Sequence, residues 1–479
     1  MEKYIVAIEI GSSKIRGALG RYDETGVLNV IAVQEEQVQD SVRYGQVRNV
    51  EEVANVIDEI CRKLENSKAI AGRYIERVYV GLSGRSIGVE KAESTITFAG
   101  EDAIGAQIVE ELKERIKMER QSEKDIYQIV PVSYYVDNEL TIKPVGRVGK
   151  SIKGVFSVVD GNVGIKSNIN RAVVERLGFV VSDYVVTMLA QADAVLSPED
   201  KQLGCALVDF GAETTTVAIY RESALQSMVT LPMGSRNITR DLVSLNFIEE
   251  QAETIKRSVG VVNVSDETPQ YTNPHVLERP EIANYIQSRA SEIVANVMAQ
   301  IEFANFKPSD LPSGLFLVGG GARLKGLSEL FAEQKMRVSV GTIRGNVRLS
   351  DASITAGEAV DVISLLLWAM KDDAAIDSLS PIEEYVDYTP NEPSTEGSDE
   401  GVSRIGTLYT DDEIEENEKV NKPQTTNNGN SGNGGNGDKV RKEGAGRKII
   451  THIEKIRKGL EKILVDNLED KFDDEEKKD

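Results

Sequence analysis

Two short stretches of this chain, two hundred residues apart, share one local design. Near the start, Tyr4-Ile-Val-Ala-Ile-Glu9-Ile-Gly11-Ser12-Ser13-Lys14 runs from β-favouring residues through an acid to a glycine turn with small hydroxyls. Downstream, Cys205-Ala-Leu-Val-Asp209-Phe-Gly211-Ala-Glu213-Thr214-Thr215-Thr216 repeats that order, and Val217-Ala-Ile-Tyr220 returns as a strand. Each delivers a carboxylate to a tight turn whose glycine lets backbone N–H groups approach an anion. A third stretch, Gly314-Leu-Phe-Leu-Val318-Gly319-Gly320-Gly321-Ala322-Arg323-Leu324, reads as a buried strand ending in three glycines. A glycine turn after a strand is usually only a turn. Three in this order describe two facing phosphate turns and a shelf for a base, a nucleotide clamp between two related halves.

Composition narrows the class further. The 479 residues suffice for two or more cores. A net charge of −22 disfavours nucleic acid as a partner. Two cysteines, Cys61 and Cys205, and two histidines, His275 and His452, supply neither a disulfide framework nor a zinc cluster. The chain opens directly on a strand rather than a signal peptide, and Val362 to Met370 is too short to span a bilayer, so a cytoplasmic globular body is expected.

The first stretch of chain alternates strand and helix. Asn49 to Leu64 has helical spacing of Val53, Val56, Ile57, Ile60 and Leu64, and Val78 to Ser83 reads as a strand, giving a mixed α/β sheet. Segment 84–161 changes to long strands and one charged helix, an inserted α+β subdomain. Segment 239–307 reads as a second, helical insertion. The expected first domain is 1–83 with 162–195 and 352–377; the second is 196–238 with 308–351.

These features resemble the actin, Hsp70 and sugar-kinase superfamily, and within it the FtsA family of bacterial cell-division proteins. The matching residues are Ile8-Glu-Ile-Gly-Ser, Val80-Gly-Leu-Ser-Gly84, Ile129-Val-Pro131, Lys143-Pro-Val-Gly146, Leu207-Val-Asp-Phe-Gly211, Ala252-Glu253-Thr-Ile-Lys256 and Val318-Gly-Gly-Gly-Ala322. The resemblance implies an actin-like, ribonuclease H-like two-domain fold with two insertions that binds ATP and Mg2+. Glu9 and Asp209 would face each other across the cleft and hold the Mg2+ through its waters. Gly11, Ser12, Ser13, Gly211, Thr214 and Thr215 would bind phosphates, with Lys14 neutralising charge. Glu253 and Lys256, one helical turn apart, would reach ribose and base in that family; without the resemblance they read as a surface ion pair. Gly319, Gly320, Gly321 and Arg323 would close over the adenine. Gln191 and Asp193 are candidates for orienting an attacking water, although Asp193 reads equally as a helix-surface residue. No phosphoryl-acceptor pocket is evident, so any ATPase should be slow.

The family also implies self-association into protofilaments, contacts with other division proteins, and binding of the C-terminal peptide of the tubulin-like protein FtsZ. Arg289 and Glu292 are the candidate peptide constellation; an internal ion pair or a subunit-interface contact are the other readings of Arg289. Two alternatives to the division role are a pilus-assembly ATP-binding platform and a small-molecule kinase of the same superfold.

From Ser378 to Gly446 the composition is acidic, then almost wholly Asn, Gly, Thr and Ser, and reads as a disordered tether reaching roughly 45 Å. Segment 447–472 then resumes helical spacing. Ile449, Ile453, Ile456, Leu460, Ile463 and Leu464 form one stripe, with Lys455, Lys458 and Lys462 on the polar side. Such a basic amphipathic helix reads as a peripheral anchor on the inner face of the membrane, at the division site; the other reading is a helix that docks on the protein's own body or on a partner. Residues 473–479 form an acidic tail.

Overall fold

The computed structural model describes residues 3–22, 25–70, 72–120, 124–259, 281–350, 355, 357–371 and 376–381. The expected tether beyond Pro381, the amphipathic helix and its membrane-facing residues lie outside them.

Two sheets carry the same topology. In the first, Lys3–Ile10, Lys14–Tyr22 and Leu28–Gln37 form an antiparallel meander. On the other side of Lys3–Ile10, Arg77–Leu82 and then Val180–Val186 add in parallel. In the second, Cys205–Phe210, Thr215–Arg221 and Ala224–Leu231 form the meander. Gly314–Val318 and Val338–Val340 add in parallel beside Cys205–Phe210. The duplicated motif seen in sequence is thus the leading edge of a duplicated sheet.

The central strand shows why these residues form a doubly covered sheet. Successive strand side chains point to opposite faces. Tyr4, Val6, Ile8 and Ile10 pack into the core that contains Val53, Ile57, Ile60 and Leu64. Ile5 and Ala7 pack on the other face with Val362, Ile363, Leu365 and Leu366. The first covering helix, Val50–Glu65, is capped by Asn49, whose side chain accepts from the Glu52 N–H at 3.2 Å. The second is the apolar helix Val360–Ala369.

In the second sheet, Ala206, Val208 and Phe210 share a core with Ile286, Ala290, Ile293, Val297 and Ile301 of helix Glu281–Phe303. The described part of 239–307 is therefore continuous with the second domain's core rather than a body of its own. Its apolar stripe, seven buried side chains long, needs the sheet to cover it.

The first insertion does have its own core. Its four strands run in the order Glu139–Thr141, Lys124–Val136, Val148–Asn162, Gly88–Ala103, with helix Ala106–Glu119. Pro131 sits opposite Phe156, where the register slips between Val155 and Phe156. A proline is tolerated in a strand at such a bulge because one ladder hydrogen bond is already lost. Phe156 is fully buried and meets Tyr134 edge to face at 5.7 Å. Phe156→Ala is expected to cost about 3–5 kcal/mol of that subdomain's stability. Chemical denaturation followed by hydrogen exchange in 88–162 would check this.

One boundary needs correction. Ser378, expected to begin the tether, is buried and stitched to the first sheet. Arg77–Leu82 pairs with the central strand only at Ala7–Glu9, leaving groups nearer its start open. Ser378 fills them: its N–H donates to Tyr4 O at 2.8 Å, and its Oγ accepts from Val6 N–H at 3.1 Å. Leu379–Pro381 then pairs antiparallel with Arg73–Ile75. Polar composition hid a strap whose value lies in backbone hydrogen bonds.

Candidate functional site

The two hairpins place equivalent atoms at equivalent positions. Glu9 pairs with Arg16 and Ile10 with Ile15; Asp209 pairs with Thr216 and Phe210 with Thr215. Each turn closes by a glycine N–H donating to the carbonyl three residues on, Gly11 to Lys14 at 3.0 Å and Gly211 to Thr214 at 2.9 Å. A Cβ on Gly11 would stand 2.8 Å from Lys14 O, and one on Gly211 2.9 Å from Thr214 O. Both turns therefore require glycine for close approach of their own backbone.

Between the turns lie two desolvated carboxyls. Burial pushes Asp209 up to about 6, with Asp361 adding to the rise and the Gln191 hydrogen bond opposing it. Glu9 is raised well above the carboxylate range by burial first, then by Asp361 and Asp209, against the pull of Arg16. Arg16 Nη1 donates to both carboxylate oxygens of Asp361 at 2.9 and 2.7 Å, and its Nε donates to Glu35. Gln191 Nε2 donates to Asp209 Oδ2 at 3.1 Å. Gln191 Oε1 and Thr187 Oγ1 are both buried with no hydrogen-bond partner. Carboxyls raised by desolvation, together with an orphaned buried acceptor, fit a hydrated cation. Among the described residues, no three carboxylate, histidine or cysteine groups converge to ligate a metal directly.

The shelf follows Gly314–Val318. Gly319 has φ +88°, and a Cβ there would meet Asp209 Oδ1 at 2.3 Å, so this glycine lies directly against the second carboxylate. A cavity of about 250 Å3 opens beside it, lined by Val318, Gly319, Ala322, Arg323, Thr355 and Glu358 among others. Arg323 pairs with Glu358 at 2.7 Å at its edge. Gly320 faces open space.

Several expected residues turn out to be committed elsewhere. Lys14 bonds Glu35 at 2.7 Å across the neighbouring strand rather than standing free over the turn. Thr215 is buried, its Oγ1 donating to Met233 O at 2.8 Å, whereas Thr214 remains partly exposed. Ser12 is buried and accepts from Gly45 N–H at 2.9 Å; Ser13 is partly exposed. Gly321 is tucked behind the shelf, where its absent Cβ would strike the Phe210 ring at 2.8 Å. Asp193 is held by Lys201 and Lys371; burial acts to raise its pKa, and the two lysines outweigh it and lower it. Arg289 grips Asp241 through Nε and Nη2 and also pairs with Glu292, so it braces helix Glu281–Phe303 against helix Ser235–Val243.

Glu253 and Lys256 do pair, at 2.7 Å, but Lys256 is buried rather than on the surface. Lys256 Nζ also donates to Ser235 O and Thr239 Oγ1. Burial pushes Glu253 up, but Lys256, Thr239 and Arg257 outweigh it and bring the carboxyl down to about 2. The pair ties helix Glu249–Val259 to helix Ser235–Val243.

Sequence reasoning missed Glu213, Arg16 and Asp361. A carboxylate inside a turn of small residues was the available signal for Glu213: beside phosphate it would be repulsive unless cations held it.

The family model "Cell division protein FtsA" matches residues 206–359. The Cell division protein FtsA of Porphyromonas gingivalis is 29% identical over 334 residues, covering 68% of this chain and 69% of that protein. That of Bacillus subtilis is 26% identical over 359 residues, covering 72% and 78%. Among solved structures, a chain of the PilM-PilN type IV pilus biogenesis complex superposes with a TM-score of 0.55 at 16% identity, over 76% of this chain and 98% of that one. At that identity the likeness speaks for the fold alone, and the fold is actin-like.

Proposed function

We propose, from its similarity to FtsA cell-division proteins and its actin-like fold, that the chain is a nucleotide-dependent division protein. Its cleft takes Mg-ATP, it self-associates, and it links the tubulin-like FtsZ to the inner face of the membrane. The observation carrying this reading is the pair of hairpins with Glu9 buried and Asp209 half-buried at their turns, beside the unpartnered Gln191 Oε1. Phosphates would meet backbone N–H groups and hydroxyls of both turns, chiefly Ser13 and Thr214. Mg2+ supplies the charge that lets two carboxyls adjoin a triphosphate. Gln191 would fix Asp209 with its Nε2 and offer Oε1 to a water of the hydrated ion. The base would rest in the cavity beside Gly319 and Ala322, with the Arg323–Glu358 pair at its edge.

Membrane attachment is assigned to 447–472. Its apolar stripe would enter the acyl boundary, and its six Lys/Arg against two Glu in 447–464 would favour anionic lipid. No described helix is long and apolar enough to cross a membrane.

Calorimetry with Mg-ATP and sedimentation with anionic vesicles, on the full chain and on a truncation after Gly446, test both parts. The full chain should bind nucleotide and pellet; the truncation should bind nucleotide equally and stay in the supernatant. Pelleting of the truncation would move membrane attachment elsewhere, and absence of nucleotide binding in both would overturn the cleft assignment. Raising salt should also release the full chain, because the electrostatic share is screened within about 8 Å at physiological ionic strength.

A further inference from the structure

Glu213 sits inside the second turn, yet its side chain is completely buried and faces the other half of the molecule. Its Oε1 lies 2.6 Å from Arg240 Nη2 and 3.9 Å from Arg236 Nη1, both on helix Ser235–Val243. The same oxygen lies 3.1 Å from Arg43 Nε, an ion-pair contact at an angle too poor for a hydrogen bond. Its Oε2 accepts from Tyr44 N–H at 2.9 Å. Arg43 and Tyr44 belong to the small hairpin in which Val42 pairs with Val47, in the first half of the chain.

That hairpin grips the first turn in return. Gly45 N–H donates to Ser12 Oγ, and Arg236 Nη1 crosses from the second half to Gln39 O at 3.0 Å and Ser12 O at 3.5 Å. A continuous polar chain therefore runs from Gly211–Thr214 through Glu213, Tyr44 and Gly45 to Ser12. A buried carboxylate is stable only with such partners, and removing one strands the rest. Arg43 also meets Asp40 at 2.9 Å and Arg236 meets Glu249 at 2.7 Å, so the three arginines are balanced by three acids and the charge of Glu213 is compensated within the cluster.

We propose that Glu213 is a positioning residue for nucleotide binding, a latch that fixes the spacing of the two turns by holding the Val42–Val47 hairpin to the second one. This rests on reading the cleft as the Mg-ATP site. A purely electrostatic role and a latch predict opposite signs. Glu213→Gln removes a negative charge beside the triphosphate, so electrostatics alone would tighten binding. The latch predicts about tenfold weaker Mg-ATP binding, because Gln cannot hold three guanidinium groups.

The experiment is a double-mutant cycle by calorimetry on Glu213→Gln, Arg43→Gln and the pair, with hydrogen exchange at the Tyr44 and Gly45 amides in nucleotide-free protein. The latch predicts that the double variant binds no more weakly than the worse single variant, and that both singles speed exchange at the two amides. Unchanged or tighter binding in Glu213→Gln, or additive losses, would overturn the proposal. If wild type binds no Mg-ATP, the cleft reading fails by itself; unchanged amide protection in both variants then overturns the latch separately. Arg43 is one-third exposed, so Arg43→Gln carries the exchange test should Glu213→Gln fail to fold.

Discussion

The Asp209→Asn protein is expected to be more stable than wild type in the absence of ligand and unable to hold Mg-ATP. Asp209 is raised to about 6 in the folded state, chiefly by burial, against roughly 3.9 when unfolded. Below the unfolded value both states are protonated and the side chain costs nothing. As pH rises through that window the unfolded state ionises first, so folding loses stability until both states are charged. The loss at neutral pH is about 3 kcal/mol on the linkage relation, an upper estimate. Asparagine keeps an oxygen for the Gln191 N–H while removing the desolvated charge. Its stability gain should therefore appear at pH 7, shrink through pH 6 to 4, and vanish below. Denaturant titrations at pH 4 and pH 7 with calorimetry at pH 7 would show it. Equal stability at pH 7, or retained Mg-ATP binding, would refute the charge assignment. The same logic makes wild-type Mg-ATP affinity fall as pH drops below about 6, because protons compete with the cation.

Gly319→Ala should damage both fold and site. At φ +88° an alanine is strained, and its Cβ would lie 2.3 Å from Asp209 Oδ1 and 2.7 Å from Phe210 O. The carboxylate can rotate but the Phe210 carbonyl belongs to the strand, so the shelf must shift. Strain and overpacking together should cost about 2–4 kcal/mol, with Mg-ATP affinity reduced at least about a hundredfold because the carboxylate is displaced. Gly320→Ala is the control: its Cβ meets nothing within 4 Å, and stability should be unchanged. An alanine at 319 that binds nucleotide like wild type would place the base elsewhere.

How much of this was legible beforehand depended on whether a contact was local. The two turns were readable because strand, acid and glycine are close neighbours, and the register that faces Glu9 with Arg16 follows from turn length. The sheet alternation was readable for the same reason. The partner of Lys14, Glu35, was not legible because it comes from the third strand of the meander, through a register set by the assembled sheet. Asp193 looked available because Lys371 is 178 residues away. Arg16 with Asp361 spans 345 residues, and Tyr44 with Glu213 spans 169. Such partners carry no periodic signal. The charge pattern around a buried carboxylate is set by packing, so it becomes visible only once the halves are assembled.

The strap at Ser378–Pro381 has a mechanical meaning. Any chain continuing past Pro381 leaves the body beside Arg73–Ile75 and the opening residues of the central strand, because those are the groups Ser378 and Leu379–Pro381 bond. A pull applied through that chain is first borne by a short ladder and by the two bonds from Ser378 to Tyr4 and Val6. Those bonds load the first sheet at the far end of its central strand from Glu9, while the second sheet carries none of the tension directly. A body held this way is moored through its first sheet, and the second sheet feels the load only through the contacts that join the two halves, such as Tyr44 N–H to Glu213 and Arg236 to Gln39 O.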